Sequence, residues 1–456
     1  MSSQNQQKRY GKCCSAQGFL YYRADGLPPD DPSPKAPPVG LKALSVRFPR
    51  IRIGKAFVED ALARLDAFLA FGVLLVRMDA FDRIERDAGE QYATELLTDT
   101  ARAVAATCEA RSGMWGLIER DLFGCFLPDS GAGACHEAAD DIRRTLATSG
   151  KETLSVGIAV YPLSQFNRPQ TLENCRMALD QAILSGPEGT ALFSARSLNV
   201  SGDRLYRDGD AAGAAEAFKK ALMLDPSDVN VRNSLGVCYG GMGALTSALA
   251  EFETTAQTGP ENPMPVYNAG LVRLMMKKPD AALDDFNRAN DMNTGVFEVA
   301  FQTGRLYYEM GEYEQAIVFF ENAAKISPGS GPAFRYLGEC YLTAGKTAAA
   351  FTAYRQAVRL APDDAVALSV LGYLFGALKD EIEIAFLLCR HSVKIAPENG
   401  LCHQWLGRLY MDRGQADEAA AAFESAGTLG CDSRQYLREI REQKTQGILN
   451  HEKNCV

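Results

Sequence analysis

The sequence has few histidines and lacks the residue spacings that are typical of metal centres and disulfide frameworks. Only four of its 456 residues are histidines, at positions 136, 391, 403 and 451, and their spacing matches no metal site. Twelve cysteines are scattered along the chain without a CxxC pair. We therefore expect reduced, buried thiols rather than disulfides, and neither a metal nor a cofactor.

Long apolar runs and an excess of positive charge are also missing. No stretch approaches about 18 consecutive apolar residues, and the opening MSSQNQQKRYGKCC lacks the apolar core of a secretory signal. These two observations predict a cytoplasmic protein without membrane insertion. Lys and Arg number 48 against 57 Asp and Glu, and the net charge of −9 makes nucleic acid a poor partner.

The chain begins with a segment whose composition differs from that of the rest. Residues 1 to 55 carry ten Lys or Arg but three Asp or Glu, and prolines cluster between positions 28 and 38. Such a segment cannot form a packed core, so we predict a basic, flexible or extended arm. Its charge fits either a solvated tail or an arm that docks on an acidic surface.

An internal repeat occupies the second half of the sequence. Glycine recurs at an almost constant interval, at positions 202, 236, 270, 304, 338, 372 and 407. An alanine follows each glycine at a nearly fixed distance, and an aromatic residue comes four residues after that alanine, except that Cys389 replaces it once. The glycine lets a second helix approach closely, and the later alanine and ring fill the contact.

This pattern resembles the tetratricopeptide repeat, which implies an all-α solenoid of helix pairs. We delimit seven units within 195–433, namely 195–228, 229–262, 263–296, 297–330, 331–364, 365–399 and 400–433. Residues 434–444 are predicted to form a polar capping helix over the last unit, and 445–456 a tail.

Residues 56–195 alternate between helical and strand patterns in the order of a ferredoxin-like α/β domain. The order and framework resemble the GGDEF domain of diguanylate cyclases. The segments that carry the likeness are RMDAFD at 77–82, ER at 85–86, GE at 89–90, AT at 93–94, ERDLF at 119–123, SVG at 155–157 and AIL at 182–184. The sequence thus predicts a multidomain protein, with a GGDEF-like domain followed by a tetratricopeptide solenoid.

The resemblance also implies which side chains a cyclase would need, and most of them are replaced. Arg77 stands where the family has its first metal carboxylate, and Glu119 and Arg120 stand where it has paired glycines. Asp79 and Asp121 remain as residual metal ligands, and either could instead pair with Arg77. The other replacements are Asp82 and Ile183 for phosphate-binding lysines, Glu85 and Thr94 for guanine-reading residues, Leu122 for the penultimate acid, and Ala110 and Gly113 for the inhibitory product site.

The sequence therefore predicts a protein without catalytic residues that acts as a protein-binding scaffold or adaptor, in bacterial signalling. The alternative is a nucleotide sensor whose GGDEF-like domain binds GTP or cyclic di-GMP without turnover and controls the repeats. The scaffold interpretation places partner proteins or peptides on the concave face of the repeats.

Positions five, nine and twelve of each first helix form a stripe beside the packing face, so we assign them to this groove. Arginine and asparagine there suit carboxylates and peptide backbones. Arg305 and Arg335 are expected within reach of one ligand, unless Glu339 neutralises Arg335. The full candidate set is Asn199, Asn233, Tyr267, Phe301, Arg305, Tyr308, Arg335, Tyr373, Gln404 and Arg408.

Overall fold

The structure, a computed structural model, describes residues 41–147, 152–163, 165–378 and 381–442. The chain divides into two compact units, one ending at Pro260 and the other beginning at Glu261. No helix in the described part of the chain is long and apolar enough to cross a membrane.

The first unit begins with a mixed α/β domain. Its strands are β1 (Arg52–Ile53), β2 (Phe71–Met78), β3 (Met114–Glu119), β4 (Leu122–Pro128), β5 (Leu154–Tyr161) and β6 (Thr190–Leu192). Its helices are α1 (Leu41–Arg47), α2 (Gly54–Leu65), α3 (Phe81–Ala88), α4 (Glu90–Glu109), α5 (Ala132–Ala147) and α6 (Gln170–Leu184).

The strands form one sheet in the order β1-β3-β4-β2-β5-β6. β2 pairs antiparallel with both β4 and β5, and β3 pairs antiparallel with β4. The central order β3-β4-β2-β5, with α4 and α5 as connections, is the ferredoxin-like arrangement, so the predicted fold class is confirmed.

The apolar sequence of β2 reflects burial on both faces of the sheet. Leu74 and Val76 belong to one buried cluster, whereas Val73 and Leu75 belong to the cluster on the opposite face. Alternate residues of a strand point to opposite faces, so a strand covered on both sides must be apolar throughout. The polar residues that follow this run therefore lie at the edge of a firmly packed core.

The prediction of a flexible arm is wrong for residues 41–55. Leu44 on α1 is fully buried in the core of the α/β domain, and β1 pairs in parallel with β3. The basic residues of this stretch are spaced between apolar ones, so it can pack a buried face while its charges stay in water. Residues 1–40 of the predicted arm lie outside the described residues.

Two helix pairs complete the first unit, and their helices are α7 (Ala195–Arg207), α8 (Ala211–Leu224), α9 (Val229–Gly241) and α10 (Leu245–Thr258). Leu198 and Phe218 of the first pair belong to the same buried cluster as Phe166 and Phe193. The first repeat and the α/β domain thus share a hydrophobic core.

The described part of the second unit consists of five helix pairs and a final helix at 434–442. The ring of Tyr436 stacks on Phe423 of the last pair at a centroid distance of 4.6 Å, and Ile440 is buried beside them. The paired helices are α11 (Pro263–Met275), α12 (Pro279–Met292), α13 (Phe297–Met310), α14 (Tyr313–Ile326), α15 (Gly331–Thr343), α16 (Thr347–Leu360), α17 (Ala365–Leu378), α18 (Ile382–Ile395), α19 (Gly400–Asp412) and α20 (Ala416–Thr428).

The repeated glycine of each first helix lies against a side chain of the second helix of its pair. A Cβ on Gly304 would lie 3.0 Å from the ring of Phe320, and one on Gly338 would lie 2.8 Å from the ring of Tyr354. At Gly372 the sulfur of Cys389 takes the place of the ring, at 2.8 Å. The predicted role of the glycine register is therefore confirmed as a close helix–helix contact.

Candidate functional site

The GGDEF-like motif residues meet where β2 ends beside the β3–β4 turn. Arg77, near the end of β2, lies opposite Leu122 on β4 and opposite Ser155 on β5. The ERDLF segment at 119–123 crosses the turn, so Glu119 and Asp121 lie next to the end of β2. The antiparallel pairing therefore brings together residues that are far apart in the sequence.

Arg77 is held by two carboxylates. Its Nη2 donates to Oε2 of Glu119 at 3.2 Å, and its Nε lies 3.7 Å from Oδ2 of Asp121. Arg176 on α6 donates to the second oxygen of Glu119 at 2.8 Å. Two guanidinium groups and two carboxylates thus form a network over the ends of the strands.

A second arginine joins the turn to helix α3. Arg120 donates to Oδ1 of Asp82 at 2.8 Å and forms an ion pair with Glu85, and its guanidinium lies 5.5 Å from the ring centroid of Phe81. Asp82 and Glu85 are the residues that replace a phosphate-binding lysine and a guanine-reading asparagine of the resembled family. Here both acids bind the protein's own arginine.

Asp79 accepts three hydrogen bonds from the protein. The hydroxyls of Thr153 and Ser155 each donate to it at 2.6 Å, and the backbone N–H of Glu188 donates at 3.0 Å. Thr153 and Glu188 share Oδ2 of this carboxylate, and Ser155 donates to Oδ1. Asp79 therefore links the end of β2 to the start of β5 and to the loop before β6. This carboxylate is a structural acceptor.

Asp121 lies in a less polar setting. Burial raises the pKa of its carboxyl above the ordinary value of 3.8, Arg77 opposes the shift, and Asp82 adds to it. In the described part of the chain no group of three His, Cys, Asp or Glu side chains is placed to hold a metal ion. Asp121 and Asp79 lie at the same edge of the sheet but have different partners. Asp121 pairs with Arg77, whereas Asp79 accepts hydrogen bonds from Thr153, Ser155 and Glu188.

Arg176, Thr153 and Glu188 were not found from the sequence. Arg176 lies on α6, far along the chain from Glu119, and only the packing of α6 across the sheet brings the two together. The residues that replace the other family positions also lie where the order of elements puts them: Ala110 and Gly113 precede β3, and Ile183 is part of α6.

The predicted groove residues lie on the first helices of their pairs. Asn199 and Asn233 are half-buried in α7 and α9 of the first unit. In the second unit Tyr267 is an exception to the prediction, because it is 1% exposed and its ring lies 5.6 Å from that of Phe286. Tyr267 is thus a core residue, and burial raises the pKa of its hydroxyl.

The other groove candidates of the second unit are half-buried, and most contact neighbours. Tyr308 donates to Glu339 at 2.5 Å, and Arg335 pairs with Asp364 at 3.2 Å. Asp364 is therefore the ion-pair partner of Arg335, and the charge of Glu339 adds to its effect. Arg305 pairs with Glu309 at 3.3 Å.

Aromatic residues connect these polar contacts. The ring of Phe301 lies 5.8 Å from those of Phe320 and Tyr336, and Tyr308 lies 5.7 Å from Tyr336. Tyr336 was missed because it is at position six of its helix, outside the positions assigned to the groove.

Trp405 is at position six of first helix α19, and it contacts Tyr373 and Arg408. Gln404, at position five of the same helix, is half-buried. The aromatic residues at position six therefore lie beside the predicted stripe and belong to the same surface.

Comparison with known families identifies both parts of the chain. The diguanylate cyclase GGDEF domain profile matches residues 52–188, and two tetratricopeptide repeat profiles match residues 199–263 and 307–374. The chain combines a GGDEF domain with tetratricopeptide repeats. The match begins at residue 52, which agrees with the inclusion of β1 in the GGDEF domain.

Individual relatives and solved structures match parts of the chain. Human Superkiller complex protein 3 is 25% identical over 304 residues, which cover 63% of this chain and 19% of that protein. Protein CTR9 homolog of Arabidopsis thaliana is 25% identical over 293 residues, covering 60% of this chain and 25% of that protein. A solved structure of MamA is 28% identical with a TM-score of 0.33, covering 36% of this chain and 96% of that chain. The chain therefore spans a quarter or less of the curated relatives named here.

Proposed function

We propose that this protein is a non-catalytic protein-binding scaffold in bacterial signalling, in which the tetratricopeptide repeats bind partner proteins and the GGDEF domain serves as a structural module. The observation that carries the proposal is the pairing of Arg77 with Glu119 and Asp121. Arg77 stands where the resembled family has its first metal carboxylate, and both acids beside it are paired with its guanidinium.

The chemistry of nucleotide cyclisation explains why this pairing matters. Divalent ions that neutralise a triphosphate are held by carboxylate oxygens. Arg77 would repel such an ion, and Asp79 already accepts three hydrogen bonds. The side chains of Glu119 and Arg120 add bulk where a substrate would approach the turn. The same contacts disfavour the alternative of a nucleotide sensor, because Asp82 at a phosphate-binding position and Glu85 at a base-reading position are both paired with Arg120.

The repeats supply the binding surface in this proposal. Stacked helix pairs present their first helices along one face, which is the usual ligand surface of repeat proteins. In the second unit the candidates that we retain are Phe301, Arg305, Tyr308, Arg335, Tyr373, Gln404 and Arg408, without the buried Tyr267; in the first unit they are Asn199 and Asn233. The name of Superkiller complex protein 3, which designates a component of a complex, agrees with this proposal.

Photocrosslinking from defined positions tests the proposal. A photoreactive benzoylphenylalanine in place of Gln404, on first helix α19, should crosslink partner proteins in cells that make the protein naturally. The matched control carries the same group in place of Lys394, an exposed residue on second helix α18. Crosslinks from position 404 but not from 394 support the groove. Crosslinks from 394 alone, or from neither position, contradict it.

A further inference from the structure

Three arginines of the groove set lie on first helices of the second unit, and they differ in their partners. Arg305 pairs with Glu309 and Arg335 pairs with Asp364. Arg408 on α19 has no carboxylate oxygen within 4.0 Å among the residues that the structure describes. A guanidinium that is charged at all physiological pH values and lacks an anionic partner is suited to bind one from outside.

Arg408 is positioned by two aromatic rings. Its guanidinium carbon lies 4.6 Å from the ring centroid of Tyr373 and 4.4 Å from that of Trp405. Its Nη2 is 3.5 Å from the hydroxyl oxygen of Tyr373. Stacking on aromatic faces restrains the planar group while leaving N–H donors at its edge for a ligand.

The two rings belong to successive first helices. Tyr373 is on α17 and Trp405 is on α19, and their centroids are 5.1 Å apart at 47°. Tyr373 and Arg408 both occupy position nine of their helices, so the stripe predicted from the sequence is formed here by direct contact. The half-buried rings offer apolar surface beside the cation.

The charged groups that act on Tyr373 are Arg408 and Asp412. Burial raises the pKa of Tyr373, Arg408 opposes that shift, and Asp412 adds to it through a hydrogen bond. Asp412 is four residues after Arg408 and would be its natural helical partner. No carboxylate oxygen of Asp412 lies within 4.0 Å of a guanidinium nitrogen of Arg408 in the described part of the chain, so the guanidinium edge is available.

We propose that Tyr373, Trp405 and Arg408 form a carboxylate-binding site for an acidic peptide segment of a partner protein. The guanidinium edge binds the carboxylate with two parallel N–H···O bonds, and the rings contact the neighbouring apolar part of the peptide. The ligand carboxylate comes from an Asp or Glu side chain or from a peptide C-terminus. This inference rests on the proposed scaffold function and assigns its ligand chemistry; in it, Arg305 and Arg335 are structural residues, because their charges are already compensated.

Selection of short random peptides displayed on phage against the full-length protein provides the probe. Selected peptides are synthesised in three forms: unchanged, with Asp and Glu replaced by Asn and Gln, and with an amidated C-terminus. Fluorescence anisotropy should show that one of the two neutralised forms binds about tenfold more weakly or worse, as expected for loss of a charged hydrogen-bonded pair. The form that loses affinity identifies the source of the carboxylate.

The variant Arg408→Gln should weaken binding of the unchanged peptide by a similar factor and should have little further effect on the neutralised form. This coupling is what a direct contact requires. Arg390→Gln is the matched control, because Arg390 also lies over an aromatic ring, at 5.2 Å from Phe386, and donates to the hydroxyl of Tyr410, but is on second helix α18. It should leave peptide affinity unchanged. Circular dichroism checks that each variant keeps its helices.

Three results would overturn the carboxylate site: no peptide is selected, the neutralised forms bind as tightly as the parent peptide, or Arg390→Gln weakens binding as much as Arg408→Gln. If any of these occurs while position 404 still crosslinks partners, the scaffold stands and the carboxylate site alone fails. If position 404 yields no crosslinks either, both fail.

Discussion

Gly236 on α9 lies directly against the ring of Phe252 on α10: a Cβ on Gly236 would lie 2.7 Å from Cε1 of that ring. Phe252 is fully buried, so its ring cannot turn into solvent to make room. The pairing recurs in other repeats, such as Gly270 with Phe286, because the interval between the glycine and the ring is the same in each of these units. The constant interval between the glycine and the ring in the sequence thus gives the same close packing of the two helices in each of these repeats.

Gly236→Ala is therefore expected to destabilise the protein by about 1–3 kcal/mol, through overpacking against Phe252. Gly241→Ala in the same helix is the control, because its Cβ would meet only the hydroxyl of Tyr206 at 3.7 Å. That change should be neutral or stabilising by up to about 1 kcal/mol, since alanine favours helices. Urea unfolding of both variants checks the difference, and equal effects would contradict the close contact.

Phe320→Ala should lower the free energy of unfolding by about 3–5 kcal/mol, because the ring is fully buried between the helices of its pair. Val318→Ala, two residues away on α14, is the control, since Val318 is 58% exposed. Its effect should stay within about 0.5 kcal/mol. Chemical denaturation measures both, and a loss at Phe320 no larger than that at Val318 would show that the register is misassigned.

Asp79→Ala tests whether this carboxylate is structural. Its removal leaves the hydroxyls of Thr153 and Ser155 and the N–H of Glu188 without their acceptor, at a cost of about 1–3 kcal/mol. The measurement is urea unfolding in EDTA, so that no metal contributes. Asp87→Ala, at an exposed acid on α3, is the control and should have little effect. Equal stability of Asp79→Ala and the parent would refute the structural role.

Ionisation of the Asp121 carboxyl should lower the free energy of unfolding as the pH rises. The pKa of its carboxyl is higher in the folded state than the ordinary 3.8, so the folded state holds the proton more tightly than the unfolded state does. Stability from this group is present at low pH and is lost as pH rises through the raised pKa.

The free energy of unfolding of the parent and of Asp121→Asn should be measured from pH 3.8 upward. As the pH rises, the variant should become more stable relative to the parent. A difference that moves in favour of the parent with rising pH would mean that the Arg77 ion pair outweighs burial.

The sequence predicted the repeats well because their register is a local property. Gly304 and Phe320 lie on adjacent helices of one pair, and a period in the sequence is enough to bring them together. It predicted the ferredoxin-like order of elements for a similar reason, since strands and helices each have their own apolar period.

Long-range contacts could not be predicted in the same way. The sequence showed that Arg77 replaces an acid, but the partner Arg176 reaches Glu119 only through the packing of α6. Tyr267 was assigned to the groove from its position in the helix, yet its ring packs on Phe286. The shared core of the first repeat and the α/β domain was also missed, because an apolar face does not reveal which element it packs against.

The most direct test of the central claim is an assay of cyclic dinucleotide formation by the full-length protein supplied with GTP and either Mg²⁺ or Mn²⁺. Product is separated by chromatography and quantified against the nucleotide consumed. The account predicts no product, because Arg77 stands where the family has its first metal carboxylate and pairs with Glu119 and Asp121. Formation of cyclic dinucleotide that Asp121→Ala abolishes would contradict it and establish the GGDEF domain as an enzyme.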